Sequence, residues 1–158
     1  MSAIPSRSSE MLERIIARWP REPEEIHRWV QGPNEAIVLE FNQHVIGLEL
    51  IGSFTRESLD VVMPPIEALF ARSSSVHLFF DAEALDTHDS VVRDSFVQLL
   101  RTHRARWQGV YVLFRSSLIG MTLAAVNLLF RGEIKGFRDH EKFYETAERV
   151  LDLTGGPR

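Results

Sequence analysis

The chain has 158 residues, of which 44% are apolar and 25% charged, with a net charge of −4 and no cysteine. That length fits one domain with enough core to fold without staples. The missing cysteine excludes disulfides, thiolate catalysis and cysteine-ligated zinc or iron–sulfur centres, and the acidic balance argues against a nucleic-acid binder.

No secretory pattern stands at the N-terminus, because Glu13, Arg14 and Arg18 break the first apolar stretch. The longest uncharged run, Ser116 to Phe130, is too short to span a bilayer. Both observations predict a cytoplasmic protein with no transmembrane segment.

Residues 1–33 read as a helical extension. Ser8 or Ser9 can cap a helix carrying Met11, Leu12, Ile15, Ile16 and Trp19, which Pro20 ends. Pro23 can open a second short helix, Glu24 to Val30, with Ile26, Trp29 and Val30 apolar. Gly32-Pro33-Asn34 is a turn. The extension either packs on the main domain or serves a partner.

Residues 34–154 form the main domain, and 155–158 a tail. Strands are expected near 36–42 and 45–51, as a hairpin with one buried face and Leu39 opposite Ile46. A helix follows from Ser53 or Thr55, with a kink or restart at Pro64-Pro65. Val76 to Phe80 and Val110 to Phe114 are uninterrupted apolar runs, the mark of central strands covered on both faces. Between them Ser90 to Trp107 is helical. Ser117 to Phe130 is a third helix, Ile134 to Phe137 a short edge strand, and Asp139 caps a last helix. The order is β-β-α-β-α-β-α-β-α, an α/β fold with a mixed, mostly parallel sheet.

This order resembles the STAS domain of bacterial anti-sigma factor antagonists and sulfate-transporter tails, in particular its divergent bacterial branch. Phe79-Phe80-Asp81, a seven-residue loop and then Asp89-Ser90 resemble the strand, loop and helix start of that family. Ser116-Ser117-Leu118, Met121, Asn127, Phe137 and Asp139 extend the likeness, which covers about residues 35–152. The resemblance implies a non-catalytic regulatory module that binds a protein partner, such as an anti-sigma-kinase-like protein. It makes Ser90 the phosphorylation position. The family continues with Ser or Thr and then Gly, where this chain has Val91-Val92. The other reading of Ser90 is a helix cap or first-turn residue.

Asp81, Asp86, His88 and Asp89 gather on the loop expected at the C-terminal strand edge, where open α/β sheets bind ligands. Such a group can hold a metal or a general base. No further ligands, nucleophile elbow or phosphate-binding glycine motif accompany it, so no enzyme, metal site or cofactor is expected. The six histidines show no ligand spacing. Arg101, Arg104 and Arg106 complement the dipole at a helix end or form a patch for an acidic partner.

The 117–130 helix is apolar almost all round, with only Ser117, Thr122 and Asn127 polar. A surface helix should show a polar side. Leu118, Met121, Leu123, Ala125 and Leu128 are therefore candidates for self-association or a partner, with the N-terminal extension or lipid as alternative covers. A small-ligand or lipid-binding domain, with an apolar ligand against this helix, is the second functional reading.

Overall fold

The structure is a computed structural model and describes residues 7–155. Helix α1 (Arg7–Ala17) precedes strands β1 (Glu25–Gln31), β2 (Asn34–Glu40) and β3 (Val45–Phe54). A short 3-10 turn leads into α2 (Leu59–Arg72). Then come β4 (Val76–His88), α3 (Ser90–Thr102), β5 (Trp107–Phe114), α4 (Ser117–Leu129), β6 (Ile134–Phe137) and α5 (His140–Thr154). The six strands form one sheet in chain order. Its first two pairings are antiparallel and the other three parallel. Strands β4 and β5 lie inside the sheet and β6 at its edge, as their sequences predicted.

Strand alternation sends apolar side chains to both faces. Val38, Leu48, Leu78, Phe80 and Val110 join a core with α2, α3 and α4. Ile37, Leu39, Phe79, Tyr111 and Leu113 join a second core with α1 and α5. The molecule is thus a three-layer sandwich, and its central strands are covered on both sides.

Several expectations change. The 24–30 segment is an edge strand, not a helix. Ile26, Trp29 and Val30 fit helical spacing, but the two-residue turn at Gly32-Pro33 pairs Gln31 with Asn34 and extends the sheet. Gly32 takes φ +58, a conformation open to glycine there. The sheet therefore includes residues that the sequence pattern put ahead of the main domain. Leu39 faces Gly47, not Ile46, because the loop 41–44 closes with His44 N donating to Asn42 Oδ1. Both hairpin faces are buried, since β1 flanks β2 and helices cover each side.

Helix α2 runs on through Pro64 and Pro65. Pro64 and Pro65 stand inside it, so the carbonyls four residues back, Asp60 and Val61 in the first turn, lose their helical partners. Strand β4 continues to His88 where a loop was expected. Its far half pairs with the end of β3, Gly52 to Leu85 and Phe54 to His88, with a register shift that leaves Asp86 outside the ladder. Helix α3 stops at Thr102, because Trp107 begins β5 and its Nε1 donates to Leu100 O at 2.9 Å. Helix α1 begins at Arg7, ahead of both candidate cap serines; the Ser8 side chain and residues 156–158 of the tail lie outside the described residues.

Candidate apolar ligand site beneath α4

Helix α4 starts where Ser116 Oγ accepts from Ile119 N at 3.5 Å. Gly120 lets it lie close to β5, since a Cβ there would meet the Phe114 ring at 2.8 Å. Its other end is tied to β6 by Asn127, whose side chain donates to Ile134 O at 2.8 Å and accepts from Ile134 N at 2.9 Å. Fixed at both ends, α4 stands over the sheet beside α3 and leaves a gap.

That gap is a cavity of about 140 Å³ between α3, α4 and the sheet. Leu50, Phe80, Val92, Phe96, Val110 and Val126 are among its walls. The polar groups at its border are few. His88 Nε2 lies 3.0 Å from Thr122 Oγ1, joining the end of β4 to α4, and Arg93 stands nearby on α3. An apolar void of this kind has no polar partner to hold water, and it binds apolar molecules that fit.

The outward side of α4 is open. Leu118 is 48% exposed, Met121 70%, Leu128 83% and Leu129 53%. Ala125 is exposed with them. Leu123 departs from expectation: it is half-buried, packs on the core and lines the cavity. Helix α1 lies on the opposite face of the sheet, so it is not the cover for α4.

The expected polar loop does not assemble. Asp81 is buried in mid-strand on the second face, hydrogen-bonded to Tyr144. Asp86 is exposed at the register shift. Asp89 is the N-cap residue of α3, and its carboxylate accepts from Arg56 N at 2.8 Å. Only His88 reaches the cavity. Ser90 is an exposed first-turn residue of α3, with Val91 beside it and Val92 buried. Two of the three arginines have structural partners: Arg106 donates to Phe70 O at the end of α2, and Arg104 stacks on Trp107 at 4.0 Å and pairs with Glu133.

Sequence reasoning missed a cross-strand group, Glu25, His27 and Glu40, whose ligand atoms lie within 4.8 Å of one another. Reading 25–31 as a strand would have found it, because residues two apart share a face. Arg72 holds the other oxygen of Glu40 at 3.3 Å, so a guanidinium already supplies the charge a cation would bring.

No protein-family model matches the chain, and no curated protein matches it. Among solved structures, it is similar to an uncharacterized protein of the DUF3478 family from Shewanella loihica PV-4, described as having a SpoIIAA-like fold. The identity is 16% and the TM-score 0.54, over 78% of this chain and 92% of that one. The fold is SpoIIAA-like. It is thus the STAS-like architecture that the strand order suggested. Among the described residues no helix is long and apolar enough to cross a membrane.

Proposed function

We propose that this SpoIIAA-like protein is a non-catalytic binding domain that takes a small apolar molecule, or the end of an acyl chain, into the cavity beneath α4. The cavity carries the reading: its walls are aliphatic and aromatic, and its one polar pair, His88 with Thr122, stands at the border to meet a ligand's polar end. A volume of about 140 Å³ suits a short hydrocarbon segment. Binding would stabilise the fold by mass action.

Native mass spectrometry of the full chain with decanoate tests this. The wild type should bind one equivalent, and Val126→Phe, which fills the cavity, should bind none. Absence of binding to the wild type, or undiminished binding to a folded Val126→Phe, would contradict the proposal.

The exposed side of α4 favours a second reading, a regulatory module that docks a protein partner or a second copy there. Four large apolar side chains on one uncharged helix face support it. Light scattering should then report a dimer, or an anti-sigma-kinase-like partner should bind, and Met121→Glu should abolish either. If the family's phosphoswitch operates, phosphopeptide mapping should find phosphate on Ser90 and Ser90→Asp should weaken the partner. A monomer whose partner binding ignores both substitutions excludes this reading.

A further inference from the structure

The second face of the sheet hides a polar cluster that the ligand site does not use. Glu49 on β3 and Asp81 on β4 are register partners and are 2% and 1% exposed. Helix α5 brings the Tyr144 hydroxyl to both, 3.1 Å from Glu49 Oε1 and hydrogen-bonded to Asp81 Oδ2. The residues just past α1 close the cluster from above. Trp19 Nε1 donates to Glu49 Oε1 at 2.8 Å and Arg18 to Glu49 Oε2 at 3.0 Å. On β4, Glu83 N donates to Asp81 Oδ1 at 3.1 Å. The Glu83 carboxylate faces His140 of α5 at 3.3 Å, and the His140 ring lies 4.8 Å from that of Tyr144.

A hydroxyl has one proton, yet both acceptors at Tyr144 are carboxylate oxygens. With both carboxylates ionised, one of them faces an oxygen lone pair, and two buried charges share one half-exposed arginine. A single added proton satisfies every group. Glu49 then donates to Tyr144, Tyr144 donates to Asp81, and Glu49 still accepts from Trp19 and Arg18.

We propose that this cluster is a proton-operated latch: with a proton on Glu49 it clamps α1 to the sheet, and loss of that proton loosens α1. Burial first, and Asp81 second, push the Glu49 carboxyl up to about 8, against the pull of Arg18, Trp19 and Tyr144. Deprotonation leaves a second buried charge beside Asp81. Lifting α1 relieves it most easily. Helix α1 contributes no strand to the sheet, and its departure lets water reach Glu49 and solvate the charge. Strands β3 and β4 cannot part without breaking the sheet, and α5 is anchored by Phe143, Ala147 and Leu151. Opening would bare the surface on which Trp19 lies, including Phe41 at 5.4 Å between ring centroids. That exposes an apolar face on the side of the sheet away from the cavity.

Hydrogen exchange on the full chain, corrected for intrinsic rates, tests the latch. From about pH 6 to about pH 9, protection of the α1 amides should fall about tenfold more than that of β4. Glu49→Gln, neutral at both pH values, should remove that difference. Equal protection of α1 at both pH values, or the same fall in a folded Glu49→Gln, would overturn the proposal. Should Glu49→Gln not fold, carboxyl-carbon NMR of the wild type decides. A Glu49 midpoint near 8 supports the latch, and one near the ordinary 4.5 overturns it.

Discussion

At Gly47 a single methyl group decides whether Trp19 can lie on the sheet. A Cβ there would stand 2.7 Å from Trp19 Cη2, with the Phe41 ring at 3.0 Å. Gly47→Ala should therefore cost about 1–3 kcal/mol in urea denaturation, with the loss concentrated in α1. Glu49 beneath it sets a pH dependence. Its folded value near 8 exceeds the ordinary 4.5, so the folded chain keeps a proton that the unfolded chain has lost. The resulting stabilisation is full below about pH 4.5 and fades as pH rises to about 8. Urea midpoints measured across that window should fall for the wild type more steeply than for Glu49→Gln. Neither Glu49 nor Asp81 was legible as a buried group. Glu49 sits at a polar position of an alternating strand, which reads as the solvent face. Only the arrival of α1 and α5, from the two ends of the chain, buries it.

Among the elements, α4 shows how far periodicity can be trusted. Its apolar character was plain in the sequence, and Leu118, Met121 and Leu128 do face outward. Leu123 does not, because a helix without a polar side gives no phase by which to orient it. The two positions should respond differently to charge. Leu128→Glu should change stability by less than about 0.5 kcal/mol, while Leu123→Glu should cost about 3 kcal/mol or more. Asn127→Ala removes both bonds to Ile134 and should cost about 1–3 kcal/mol, read by thermal unfolding. The strands β4 and β5 were legible because continuous apolar runs have few other homes. Strand β1 was not, since Ile26, Trp29 and Val30 satisfy a helix and an edge strand equally, and the pairing that decides comes from β2. The far half of β4 was hidden for a related reason. Ala82 to His88 carries Glu83, Asp86 and Thr87, a loop-like composition, and becomes strand through its pairing with β3.

On the scale of the whole molecule, the layers divide the work. The face bearing α2, α3 and α4 holds the cavity and the exposed side of α4. The face bearing α1 and α5 holds the carboxylate cluster. The proposed ligand site and the proposed latch therefore lie on opposite faces of one sheet. The candidate site was half legible: the sequence pointed to α4 and to His88, but the cavity exists only because α3 and α4 stand apart over Leu50, Phe80 and Val110. Methyl NMR of the full chain during a titration with decanoate tests the apolar-ligand reading most directly. The account predicts saturating shifts at the interior methyls of Leu50, Val92, Val110, Ile119 and Val126, with Leu118 and Leu128 little changed. Shifts confined to the outward methyls of α4, or none at all, would contradict it.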